Sequence, residues 1–225
     1  YIGVVMTLFP IPFAVLENDL RKTLAYSLNN QLGFMCVGVG IGTPLALNGT
    51  ALHAFAHILY KSLLFMSMGA VLYRAKTCKA TDLGGLWKSM RFTAVCCIVG
   101  ALSIAGMPLL NGFVSKSLTL SAVAQEHLLL VYLGLLLASA GVMEHSGIKI
   151  PYYGFFSKDR GLRVEKAPLN MRVAMGATAA CRLERRPLCG DLLDRIEAGL
   201  ARHRPRVGGG YFTGMESVEI LALRG

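Results

Sequence analysis

Between Thr23 and Tyr60 the chain carries no Asp, Glu, Lys or Arg, and the same is true from Tyr1 to Leu16 and from Phe92 to Ser115. About 20 mostly apolar residues span the hydrocarbon core of a bilayer. Stretches this long constrain the chain to cross a membrane repeatedly. Composition agrees: 16% of the residues are charged, against about 25% in an average soluble domain, and the mean hydropathy is +0.52. A single water-soluble globule does not fit these values. Disorder does not fit either, because it needs low hydrophobicity. The net charge of +10 does not point to nucleic acid, because the basic residues lie between the apolar runs, where membrane topology accounts for them.

The expected architecture is all-α, a polytopic transmembrane helical bundle with one broken helix, over residues 1–181. Five crossings are predicted: Tyr1–Leu16, kinked at Pro10 and Pro12; about Leu24–Gly42; about Thr50–Leu72; Phe92 to about Leu110; and Gly112 to about Val142. The second carries a polar knot, Ser27, Asn29, Asn30 and Gln31, which must face other helices or water. The last is too long for one straight helix and holds Lys116, Gln125, Glu126 and His127, so it is read as the interrupted one. Charge supports this layout. The connections 17–22, 74–91 and 149–166 are basic, whereas Gly42–Gly49 and Pro108–Gly112 carry no charge. All basic connections then fall on one side, as the positive-inside rule demands. The expected location is an integral membrane protein of the bacterial inner membrane, with those loops cytoplasmic.

The chain opens with Tyr1 already inside an apolar run and is read as a fragment of a larger protein. From Arg182 to Arg206 the composition changes to seven arginines among four acids. Asp191 to Arg202 could form an amphipathic helix. The six cysteines show no CxxC pattern, so neither a disulfide framework nor a sulfur-based metal site is expected.

His53, His57 and Lys61 fall at i, i+4 and i+8 of the third crossing, on one helix face. Ionisable groups at membrane depth are costly and mark ion or proton paths. The alternatives are neutral imidazoles bonded to neighbouring helices and a lysine that snorkels to the interface. A zinc reading of His53 and His57 is weak, because Ala54 stands where HExxH needs Glu and no third ligand is visible. Lys116, within Gly-Phe-Val-Ser-Lys-Ser, suits an unwound segment lining a cavity; the alternative is an interfacial loop lysine. Glu126 could face the same cavity, while Glu144 and His145 are expected at the interface. Lys22 could extend toward the interior path. Burial disfavours an ammonium ion and histidine titrates near neutrality, so a hydrated row of such groups can relay protons.

The runs DLRKTLAYSLNNQLGF (19–34), ALHAFAHILYKSLLFMSMGAVLY (51–73), TDLGGLWKSM (81–90), GMPLLNGFVSKS (106–117) and GIKIPYYGFFSKDRGLRV (147–164) resemble the proton-conducting membrane subunits shared by complex I and Mrp-type cation/proton antiporters, with a pattern nearest to the D-type antiporter proteins. The resemblance implies a fourteen-helix subunit with two inverted five-helix repeats, of which this chain matches the later part of the second repeat and one preceding helix. It implies that His57 and Lys61 hold the central proton-path positions, with His53 accessory. It also implies that Lys116 is the broken-helix lysine of the outlet half-channel and Lys22 the basic residue after the eighth helix. The family would continue with an apolar helix after Cys181, so the Arg-rich stretch 182–225 is read as a frame shift or damaged gene end.

The function expected from this resemblance is that of a proton-translocating subunit of a cation/proton (Na+/H+) antiporter, a transporter component rather than an enzyme. Membrane-arm duty in a complex I-like NADH-quinone oxidoreductase and a non-functional remnant are the alternatives. The expected partners are other membrane subunits, lipid, protons and Na+. Neither an organic cofactor nor a metal is expected.

Overall fold

The structure, a computed structural model, describes residues 1–108 and 110–183. The Arg-rich stretch from Glu184 onward and the helix expected at Asp191 to Arg202 lie outside the described residues. The described part is helical, with one isolated β-bridge between Asp19 and Lys79.

Helices α1 (Ile2–Leu8) and α2 (Pro10–Leu16) follow one another, with Pro10 in the first turn of α2, where a missing N–H costs least. Helix α3 (Leu20–Ile41) starts at Asp19, whose carboxylate accepts from Arg21 N at 2.9 Å, and ends at Gly42 with φ 74°. Helix α4 (Pro44–Ala75) has 32 residues, is capped by Thr43 Oγ1 accepting from Ala46 N at 3.3 Å, and stops at Lys76. Helices α5 (Arg91–Ala105), α6 (Asn111–Gln125), α7 (Leu129–Phe156) and α8 (Leu169–Leu183) complete the order. Helix α7 winds as a π-helix over Met143–Ile148 and Tyr152–Phe156. Helices α4 and α7 are each long and apolar enough to cross a bilayer. The main core packs Tyr60, Leu64 and Met68 of α4 against Ala94, Cys97 and Ala101 of α5.

The neighbours along α4 locate the break in the broken helix. Gly100 of α5 lies against Leu64 and Tyr60, Ser115 of α6 bonds His53, and Thr119 of α6 lies against Gly49. Helices α5 and α6 therefore run in the same sense, antiparallel to α4, as two halves of one crossing interrupted after Ala105. This corrects the expectation of a complete crossing at Phe92–Leu110 with the interruption inside Gly112–Val142. Helix α7 is instead a crossing of its own. Along it Gly134 meets Val4, Gly141 meets Ile11, and Lys149 reaches Ala14, Val15 and Glu17, so it runs parallel to α1 and α2. The total of five crossings and the common side of the basic connections are unchanged by the shift. The difference arises because α5, only 15 residues long, is not a full span.

The connections pack together at one end. Asn18 O accepts from Ala80 N at 2.8 Å, Cys78 O accepts from Leu20 N at 3.1 Å, and Ser157 O accepts from Gly85 N at 3.1 Å. Lys88 and Arg163 both pair with Asp159, at 3.4 and 3.3 Å. The Gly161 N–H, with the Lys88 ammonium next, holds the Asp159 carboxyl below the usual carboxylate range. Cys78 is buried and donates to Met68 O at 3.5 Å. Burial, aided by the Asp19 carboxylate, pushes its thiol up to about 11. The last basic connection starts at Ser157, since Lys149, expected within it, is a buried residue of α7. Helix α8, which the sequence pattern does not separate from the connection, packs Met175 into the core.

Helix α6 meets the end of α5 at Gly112, where a Cβ would collide with the carbonyl oxygen of Ser103. Gly112→Val should destabilise the bundle by about 1–3 kcal/mol, as overpacking does. Thermal unfolding in detergent measures this; an unchanged midpoint would mean that α6 is free to retreat.

Candidate functional site: a buried row of histidine and lysine

The centre of the bundle holds titratable side chains of α4 and α6. His53 is fully buried, and His57, Lys61 and Lys116 are buried with it. The first three share one face of α4, with the His53 and His57 rings stacked at 6.3 Å and 8°. Lys116 comes from the first turns of α6. Helix α5 ends at Ala105, which leaves the carbonyls of its last turn without helical donors. Lys116 Nζ donates to one of them, Ile104 O, at 2.6 Å and to Ser139 Oγ of α7 at 3.3 Å. A cation at a helix C-terminus also opposes the dipole favourably. Lys61 Nζ and His57 Nε2 are buried with no hydrogen-bond partner among the described residues. Lys61 Nζ lies 5.9 Å from the Phe65 ring centroid.

His53 is held more tightly than its neighbours. Gln31 Nε2 donates to Asn30 Oδ1 at 2.7 Å, which leaves Gln31 Oε1 as the acceptor. That oxygen accepts from His53 Nε2 at 3.0 Å and from the Tyr60 hydroxyl at 3.0 Å. The proton of the His53 ring is thereby assigned to Nε2, by the network rather than by direct observation. Nδ1 faces Ser115 Oγ at 3.0 Å. Asn30 links this knot onward to α1, where Thr7 Oγ1 donates to Asn30 O at 2.7 Å. Ser27, Asn30 and Gln31 of the predicted polar knot are buried, whereas Asn29 is exposed.

The other candidates are placed differently. Lys22 is exposed in the first turn of α3 and does not join the row. Glu126 and His127 are exposed in the turn between α6 and α7, so Glu126 does not face Lys116. Glu144 is exposed, but His145, expected at the interface, is fully buried. Lys149 Nζ donates to three carbonyls at the end of α2: Ala14 at 3.0 Å, Val15 at 2.7 Å and Glu17 at 2.7 Å. Among the described residues, no three His, Cys, Asp or Glu side chains gather as a metal site would require.

A bundle of apolar helices with an interrupted crossing and buried lysines defines a polytopic membrane-subunit fold. The sequence profile of the family described as "NADH:quinone oxidoreductase/Mrp antiporter, TM" matches residues 1–141, and the chain belongs to that family. It is 34% identical over 160 residues to NADH-ubiquinone oxidoreductase chain 5 of Sus scrofa, an alignment covering 71% of this chain and 26% of that one. It is 38% identical over 122 residues to the same protein of Bos indicus, covering 54% and 20%. The chain thus spans about a quarter or less of the length of these relatives.

Among solved structures, a chain of the archaeal membrane-bound sulfane sulfur reductase superposes with TM-score 0.79 at 29% identity, covering 99% of this chain and 38% of that one. A chain of respiratory complex I from Thermus thermophilus superposes with TM-score 0.73 at 23% identity, covering 89% and 43%. The Mrp complex from Dietzia sp. gives TM-score 0.68 at 21%, covering 89% and 44%. The last two share the fold. The expected all-α membrane-subunit architecture is therefore correct.

Gln31→Leu removes the acceptor of His53 Nε2–H. Leaving a buried donor unsatisfied costs about 1–3 kcal/mol, so the variant should unfold at a lower temperature in detergent. Equal stability would indicate that the ring turns to another acceptor.

Proposed function

We propose that this chain belongs to a proton-translocating subunit of a multisubunit membrane complex, with His57, Lys61 and Lys116 carrying the path. His53 is an accessory member, and Lys22 a basic residue at its margin. The observation that carries this reading is the pair Lys61 and Lys116, both buried among membrane-crossing helices and both without a carboxylate partner among the described residues. A buried charge left unpaired is expensive. An amine in such a place serves best as a site whose protonation changes. The two lysines come from α4 and from the second half of the broken crossing, on either side of the stacked histidines. A charge arriving at one alters proton affinity at the next, which is the coupling such a protein needs.

The driving reaction is read as redox chemistry in partner subunits. This is favoured by the likeness to a respiratory membrane complex over nearly the whole chain and by the NADH-ubiquinone oxidoreductase relatives. Cation/proton antiport, with Na+ as the exchanged ion, is the second reading; the family description, which names Mrp antiporters, supports it. In either case the membrane is an energy-coupling one. We assign the basic end of the bundle to the cytoplasmic side of a bacterial cell membrane on the positive-inside pattern.

In sealed vesicles containing the assembled complex, Lys61→Ala and Lys116→Ala should each lower proton flux by about two orders of magnitude, the scale of a lost proton-transfer group, with the protein still inserted. Lys88→Ala, at the exposed basic end, should leave flux unchanged. Wild-type flux in both interior variants would reject the path. Flux that follows reductant and ignores Na+ supports the redox reading, and the converse supports antiport.

A further inference from the structure

We propose that His145 carries the proton between Lys61 and Lys116, and that His53 is a positioning residue. This inference rests on the reading that those two lysines exchange protons.

Past His57, the next group on α4 is His53, but its ring cannot pass a proton through. Its Nε2–H ends on Gln31 Oε1, an amide oxygen already shared with Tyr60 and held in place by the bond from Gln31 to Asn30. An amide oxygen accepts a hydrogen bond without taking up and releasing a proton. Only Nδ1 remains, facing Ser115. His53 therefore fixes Ser115, and with it the first turns of α6 on which Lys116 stands.

His145 has the opposite arrangement. It is fully buried, its Nδ1 pairs with Ser146 Oγ at 2.8 Å, and its Nε2 is buried with no hydrogen-bond partner among the described residues. The charges of Lys61, Lys149 and Lys116 all act on it. The backbone explains how it arrives there. Ser139, which accepts from Lys116, sits on the same helix, and Gly147 packs against Ala105 and the carbonyl of Ala101, just before the break after α5. His145 thus enters the bundle from α7 beside the end of α5, the helix whose Gly100 packs against Tyr60 and Leu64 of α4, the residues flanking Lys61. It lies in the π-helical stretch Met143–Ile148. Such widened turns are rare and are frequently found at functional sites. A histidine with one ring nitrogen tethered and the other open can take a proton on Nε2 and release it from the same atom, with no more motion than a turn of the ring. The other charged groups of this neighbourhood have separate tasks: Lys149 is bonded to three carbonyls and Glu144 is exposed.

The test uses the assembled complex in sealed vesicles and four single variants. His145→Asn keeps a polar atom near the Nδ1 position for Ser146, and His145→Gln keeps one near Nε2; neither side chain exchanges protons. Both should lose proton flux by about a hundredfold while the complex remains assembled. His53→Asn should lower flux several-fold, by loosening Ser115 and the first turns of α6, with an unchanged pH profile. A structural role for His145 predicts rescue by one of its two substitutes, so wild-type flux in either would overturn the proposal, as would His53→Asn losing flux as deeply as the Lys61→Ala control. If Lys61→Ala itself conducts normally, the broader reading fails. If Lys61→Ala is dead while the His145 variants conduct, only this inference fails.

Discussion

The architecture depends on how a membrane-crossing helix can be interrupted without leaving its backbone unsatisfied. Where α5 stops at Ala105, its last carbonyls lose the donors that a continuing helix would supply, and lipid offers no replacement. Two kinds of donor are supplied here. Gly106, at φ 79°, turns the chain so that its own N–H and that of Met107 bond back to Ser103 and Leu102. The Lys116 ammonium then takes Ile104 O. Residue 116 reaches back because α6 begins at Asn111, hard against α5, and the missing side chain at Gly112 permits that approach. The break therefore holds the Lys116 amine inside the bundle, and that amine in turn satisfies the break.

Helix α4 does the complementary work. It passes the break, and along it the buried groups are ordered by helical spacing, with His53 beside Ser115 and Lys61 farther toward the basic end. Gln31 and Asn30 of α3 tie His53 and Tyr60 to α1 through neutral dipoles. Because the described partners of this row are amides, hydroxyls and carbonyls, the protonated lysines meet no fixed anion among the described residues. A carboxylate in the same place would have turned either lysine into a static ion pair.

Much of this is legible in the sequence, and the exceptions have physical causes. The i, i+4, i+8 spacing of His53, His57 and Lys61 inside an apolar run is enough to place them on one buried face. The existence of a broken crossing is legible too. Its position is not, because counting charges constrains only the number of crossings between basic connections: one full span followed by a broken one satisfies the same count as a broken span followed by a full one. The length of α5 depends on where Gly106 turns left-handed, and apolarity alone does not report that. His145 and Lys149 look like the start of a basic loop in GIKIP; the tertiary contacts of α7 with α2 and α5 bury them. Helix α8 carries Asn170, Arg172 and Gly176 among its apolar residues, and so has no run that marks it as a helix.

The three buried lysines differ in a way that sorts their roles. Lys149 meets three carbonyls at 3.0 Å or less at the exposed end of α2. This is one acceptor for each N–H of an ammonium, which also opposes the dipole of α2. Lys116 meets one carbonyl and one hydroxyl, enough to hold it in place with one N–H to spare. Lys61 meets none among the described residues and faces an aromatic ring. The ammonium is thus fully satisfied at the basic end, partly satisfied at the break, and bare beside the stacked histidines. Under the proposed function, a proton moving through the bundle meets sites that differ in how strongly the surrounding dipoles favour charge. The gradation is set by helix ends: a complete terminus binds Lys149, half of one binds Lys116, and the unbroken middle of α4 offers Lys61 no carbonyl at all.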